Sequence, residues 1–190
     1  MDKGGFEMKL LFASDIHGSS SYAKKVVEKF EETKSDQLIL LGDVMYHGPR
    51  NPLPKEYNPQ KVSQILNQYK NKIIAVRGNC DSEVDQMLLQ FPMLADYTIL
   101  YVDGIRFFVT HGHLFDEDNL PNLSSQDVLI YGHYHLPIAK KKDDIYILNP
   151  SSVSLPKEGT NSYGIYENKV FTIYDFDGNI VNWIRIGEEQ

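Results

Sequence analysis

Two aspartates, an asparagine and the histidines carry most of the chemistry this sequence can offer. The six histidines are His17, His47, His111, His113, His133 and His135. KLLFAS leads into Asp15-Ile16-His17, LILL into Gly42-Asp43, and IIAV into Arg77-Gly78-Asn79. RFFVT leads into His111-Gly112-His113, and DVLIY into Gly132-His133-Tyr134-His135. Five apolar runs thus each end in a residue able to bind a metal. In open α/β sheets functional groups gather where strand ends pass into loops, so these five ends are expected to converge. Carboxylate, imidazole and amide oxygen together suit manganese, iron or zinc in a site that also holds water. A lone cysteine, Cys80, excludes a structural zinc site of the thiolate type.

Two carboxylates, four imidazoles and one amide oxygen are more donors than one ion uses. The count points to two ions with one carboxylate between them, at a spacing of about 3.5–4 Å. Two divalent ions bring four positive charges against the two negative ones of Asp15 and Asp43. Such a centre attracts a phosphate ester. It also supplies a bridging hydroxide as nucleophile, because metal binding lowers the pKa of water to about 7 in favourable sites. In-line attack on phosphorus follows, with charge on the equatorial oxygens stabilised by the ions.

The elements that must position these groups are legible from hydrophobic periodicity. Strands are expected at 9–14, 37–41 and 72–76, and an amphipathic helix at 19–34 presents Tyr22, Ala23, Val26, Val27 and Phe30 on one face. HGPRNPLPKEYNP has too many prolines for regular structure. Asn58 then caps a helix with Pro59 at its first position and Val62, Ile65, Leu66 and Tyr69 as its stripe. A short helix is expected at 82–90. Beyond Tyr97 the pattern changes to strands and turns. YTILYVDGIRFFVTH reads as a hairpin about Asp103-Gly104, followed by strands at 127–131, 138–142, 145–148, 162–166, 170–176 and 180–186. A βαβαβ half followed by a β-rich half implies two packed sheets with helices outside, an α/β sandwich and not a closed barrel.

The chain has 190 residues, 42% of them hydrophobic and 24% charged, which suits one soluble domain. Residues 8–190 are expected to form it, with 1–7 as an N-terminal extension. No apolar run is long enough to span a membrane, and no signal core or disulfide framework is visible, so the expected location is cytoplasmic. A net charge of −7 argues against an extended nucleic-acid surface.

In order, D-x-H, G-D, G-N, a histidine and G-H-x-H resemble the calcineurin-like metallophosphoesterase superfamily. The blocks ASDIHGS, LGDVMYHGPRNPLP, VRGNCDSEVDQMLLQFP, THGHLF, NLP, YGHYHLP and NPSSVS are similar to its small bacterial phosphodiesterases of the YfcE type. The resemblance runs from Met8 to the C-terminus and implies a four-layer αββα sandwich. It implies that Asp15, His17 and His135 hold one ion, that Asn79, His111 and His133 hold a second, and that Asp43 bridges. The ion it implies is Mn²⁺, with Fe or Zn²⁺ as alternatives, and the substrate a small phosphodiester. It also brings the expectation of a homo-oligomer, because relatives often form dimers or tetramers.

His113 matches no ligand position of that family, and His47 follows the bridging aspartate closely; these two are the candidate catalytic residues. For His47 the alternatives are phosphate contact and loop packing. For His113 they are substrate contact and a hydrogen bond that orients His111. Arg50 and Arg77 are candidate phosphate clamps. The pocket walls are expected from 48–58, 116–126 and 150–159. Rival readings are a phosphomonoesterase of the same fold and a protein-interaction scaffold like the retromer subunit that shares it. Cys80 is not a Cys-x5-Arg nucleophile, since Gln86 stands where the arginine would be. Many relatives carry histidine at the position of Cys80, and a thiol is a poor substitute for an imidazole in assisting a leaving group.

Overall fold

The computed structural model describes residues 8–187, and the proposed extension at 1–7 lies outside them. The chain begins with β1 (Leu10–Ala13), α1 (Ser20–Glu32) and β2 (Gln37–Leu40), followed by α2 (Pro59–Leu66), a 3-10 turn (Asn67–Tyr69), β3 (Ile73–Ala75) and α3 (Glu83–Leu88). Eight further strands complete it: β4 (Tyr97–Val102), β5 (Ile105–Thr110), β6 (Val128–Ile130), β7 (Pro137–Lys142), β8 (Ile145–Pro150), β9 (Ser162–Glu167), β10 (Val170–Asp175) and β11 (Ile180–Arg185).

Two mixed sheets result. One has the order β11-β10-β9-β1-β2-β3 and the other β4-β5-β6-β8-β7. Side chains of a strand point alternately to its two faces, and the sequence uses both. In β1, Leu11 and Ala13 face α1 and α2, while Leu10 and Phe12 enter the layer between the sheets. Leu38 and Leu40 of β2 likewise face the helices, and Ile39 faces inward. From the other sheet, Phe107 and Val109 of β5 and Val128 and Ile130 of β6 fill the same middle layer. A one-residue slip would turn each of these faces outward, so the alternation determines the register.

Helix ends follow their caps. Ser19 Oγ accepts from Tyr22 N at the start of α1, and Asn58 Oδ1 accepts from Lys61 N at the start of α2. The first helix ends at Glu32, short of the expected bound at 34, because Lys34 takes a left-handed φ of 54°. The sandwich agrees with the expected α/β class, with one difference in its fourth layer. Among the described residues no helix covers the outer face of the second sheet. The loop after β5 covers it instead, packing Phe115 and Leu123 on Phe108, Leu129, Tyr131 and Ile147.

Candidate metal centre

Strands β1, β2 and β3 are mutually parallel, as are β5, β6 and β8. Their carboxyl ends therefore emerge on one edge of each sheet, and the two edges are stitched together. His133 N donates to Asp15 Oδ2 at 3.1 Å, and His111 Nδ1 donates to the Leu41 carbonyl at 2.6 Å. The approach is close enough to require glycine. A Cβ on Gly132 would lie 1.8 Å from Ser14 Oγ, and one on Gly78 would lie 2.0 Å from Asp43 Oδ1.

At this junction the donors fall into two adjoining groups. His135 Nε2 lies 3.1 Å from Asp15 Oδ1 and 3.3 Å from His17 Nε2, and His17 Nε2 is 3.5 Å from Asp15 Oδ1. In the other group His111 Nε2 lies 3.1 Å from Asn79 Oδ1 and 3.3 Å from His133 Nδ1. Asp43 Oδ2 stands between the groups, 3.8 Å from His17 Nε2 and 3.4 Å from His111 Nε2. Asp15, His17 and His135 meet closely enough to share an ion, as do His17, Asp43 and Cys80, and Asp15, Asp43 and His111.

The histidine tautomers show what the cluster is suited to hold. Nδ1–H of His17 donates to the Tyr46 carbonyl at 2.9 Å, and Nδ1–H of His135 donates to the Leu155 carbonyl at 2.5 Å. With Nδ1 committed in His17, His111 and His135, each ring in its neutral form turns an unprotonated Nε2 inward. Lone pairs and carboxylate oxygens then face one another inside a buried space, an arrangement that a cation relieves. The backbone is strained to achieve it. Asp15, His17, Asp43, His133 and His135 all take positive φ, between 50° and 63°. For non-glycine residues that conformation costs about 1–2 kcal/mol each.

Metal-free electrostatics follow from the same crowding. Burial opposes charge on His111, but the Asp43 carboxylate beside it and Asp15 beyond raise its pKa to about 9. Burial and the neighbouring His111 push His133 down to about 4. Asp15 and Asp43 are held below the ordinary carboxylate range, burial being outweighed by His135 and His17 for the first and by His111 for the second.

Several supporting residues were not singled out from the sequence. Asp81 accepts from the backbone N–H groups of Asp43, Val44 and Gly78 at 2.7–2.9 Å, tying the loop after β2 to the loop after β3. Ser152 Oγ and Ser154 Oγ both donate to the Asp15 carbonyl at 2.9 Å, and Asn149 Nδ2 donates to the Gly132 carbonyl at 2.7 Å. The NPSSVS block was visible as a motif, but its two serine contacts reach Asp15, 137 and 139 positions back along the chain.

A cavity of about 730 Å³ opens beside Asp43, Asn79, His133 and His135. Arg50 and Lys157 line it. Arg77 does not, and pairs instead with Asp96. His47 packs its ring against Tyr46 and Tyr57, away from the cavity lining, with its buried Nδ1 lacking a hydrogen-bond partner. His113 stands beside His111, ring centroids 5.4 Å apart, and its Nδ1 is also buried without a partner. The segment 116–126, expected as a wall, supplies none of the lining. It is drawn over the outer face of the second sheet by Phe115 and Leu123, and reaches the cavity only through Asp116, which accepts from the Tyr134 hydroxyl at 2.6 Å.

Two packed mixed sheets with this donor set at their joined carboxyl edges characterise the metallophosphoesterases, enzymes that depend on divalent metal ions. The chain belongs to the calcineurin-like phosphoesterase superfamily, whose domain it matches over residues 8–169. It is 53% identical over 167 residues to phosphodiesterase YfcE of Escherichia coli (strain K12), covering 87% of this chain and 91% of that protein. Phosphodiesterase MJ0936 of Methanocaldococcus jannaschii is 24% identical over 172 residues, 85% of this chain and 94% of that one. The solved structure of the E. coli phosphoesterase YfcE superposes with a TM-score of 0.93 at 50% identity, covering 95% of this chain and all of that one. Vacuolar protein sorting 29 from Cryptosporidium parvum shares the fold, with a TM-score of 0.65 at 16% identity over 95% of this chain and 99% of that one.

Proposed function

We propose that the chain hydrolyses small phosphodiesters at a dinuclear centre, with Mn²⁺ as the preferred ion. Asp15, His17 and His135 would hold one ion, Asn79, His111 and His133 the other, and Asp43 both. The observation that carries the reading is the position of Asp43 Oδ2 between two groups of inward-turned donors. Bound divalent ions supply Lewis acidity and activate water for attack on phosphorus. The chain's part is to hold the donors rigidly. Backbone carbonyls orient three imidazoles, and Cys80 N donates to Asp43 Oδ1 at 2.8 Å, leaving Oδ2 to face the centre. Arg50 and Lys157 add positive charge to the cavity wall and are suited to phosphate oxygens. In this reading His47 packs the loop and His113 supports His111, with neither moving a proton.

Preference for diesters is supported by the 53% identity to the E. coli phosphodiesterase. A monoesterase is the second reading, favoured by Arg50 and Lys157, because a dianion gains more from them than a monoanion does. The test is hydrolysis of bis(p-nitrophenyl) phosphate against p-nitrophenyl phosphate with added Mn²⁺. The diester is expected to turn over faster, and Asp43→Ala to reduce that rate by more than about 100-fold while the chain stays folded. A strong preference for p-nitrophenyl phosphate would move the assignment to the monoesterase, and full activity in Asp43→Ala would remove the dinuclear centre.

A further inference from the structure

A phosphodiester has two arms, and the walls around the centre offer them different chemistry. The cavity beside the donors is lined by Arg50, Asn51 and Lys157. A second cavity, of about 320 Å³, adjoins it and shares Tyr46, Cys80 and Ser82 with it. Met45, Tyr57, Pro59 and Val84 complete its wall, together with Asp85, and its lining holds no lysine or arginine. The Asp85 carboxylate is already engaged, accepting from Ser82 N and Ser82 Oγ at 2.8 and 2.9 Å. Cys80 stands at the junction of the two, its thiol near Asp43 and His17.

The helix beside this second cavity is unusual. α3 has no buried residue, and its Val84, Met87 and Leu88 are exposed, Val84 to 67%. An amphipathic surface helix normally turns its apolar stripe to the core. Here Val84 lines the second cavity instead, and the chain after the helix, at Leu89, Phe91 and Met93, takes over the packing against the first sheet.

From the continuity of these cavities we infer a subsite for an apolar or aromatic arm of the substrate, walled by Tyr46, Tyr57, Pro59 and Val84. It rests on the phosphoester reading above and adds the class of ester: one arm apolar and uncharged, directed over Cys80 toward α3. Aromatic walls stack on a flat arm, and burying it removes apolar surface from water. A charged arm would meet no counter-charge there and would lose hydration.

Phenylphosphonate and methylphosphonate test this, since each has a single arm and a P–C bond that resists hydrolysis. Both are titrated calorimetrically into the Mn²⁺-loaded protein and into its Val84→Asp variant, whose exposed position leaves folding undisturbed. Phenylphosphonate is expected to bind about ten-fold more tightly than methylphosphonate to the natural chain, with the gap narrowing to about two-fold in the variant. Equal affinities in the natural chain, or a gap that Val84→Asp leaves intact, would overturn the subsite and leave the phosphoester reading standing. Failure of both phosphonates to bind would overturn both.

Discussion

Cys80 sits against the centre without the chemistry of an acid or base. Burial, then the carboxylates of Asp43 and Asp81, push its thiol up to about 12, so it stays neutral at pH 7. Its backbone N–H, which any residue would provide, is the part that holds Asp43. In relatives with histidine at this position, the resemblance implies an imidazole that assists the leaving group. Cys80→His is therefore expected to raise turnover of diesters with poor leaving groups by about ten-fold or more. The check is kcat on alkyl against p-nitrophenyl esters, with metal content measured in the same samples. An unchanged rate at full metal content would sink the idea. The sequence showed the oddity of Cys80, but its closeness to Asp43 and His17 depended on two other strands.

At the scale of elements, the loops after β2 and β3 are held together by one aspartate. Asp81 takes three backbone N–H groups, from residues 43, 44 and 78, and burial followed by repulsion from Asp43 raises its pKa to about 6. Removing its carboxylate strands donors that cost about 1–3 kcal/mol each when unmet and dry. Asp81→Ala is expected to lose about 3 kcal/mol or more in urea unfolding and to bind Mn²⁺ more weakly. Asp85→Ala, which removes only the neighbouring capping box, is expected to lose about 1 kcal/mol. Equal losses in the two variants would contradict the role given to Asp81. Nothing local in the sequence says that the Asp81 carboxylate reaches 38 positions back along the chain.

For the whole molecule, the crowding of charge at the sheet edges links stability to pH. In metal-free protein His111 has its pKa raised from 6.5 to about 9, with burial opposing and Asp43 and Asp15 prevailing. A raised pKa means that the folded state favours the proton. The contribution is thus complete below 6.5 and is lost as pH rises through about 9. Asp15 and Asp43, with lowered values, contribute above the ordinary carboxylate range and lose that contribution as acid protonates them. Chelator-treated protein is expected to lose about 3 °C or more of melting temperature between pH 6.5 and 9.5. On the proposed reading His111 is a neutral ligand once Mn²⁺ is added, and the same window should then be nearly flat. Scanning calorimetry at the two pH values checks both, and a level melting temperature in the metal-free protein would refute the linkage.

The sequence by itself determined the alternation of β1, β2, β5 and β6, because period two places Leu11 and Leu10 on opposite faces whatever the partner strands are. It also determined the cap at Asn58 and the run of donors at five strand ends, since these signals lie within a few residues of one another. What only the tertiary structure decided were relations across sheets. They include the grouping of donors on either side of Asp43, the inward Nε2 atoms set by the carbonyls of Tyr46, Leu41 and Leu155, and the serines beneath Asp15. The path of 116–126 over the second sheet and the outward apolar face of α3 belong with them. Each depends on which surfaces are brought together when two sheets pack, and a local pattern of residues carries no distance between strands far apart in the chain.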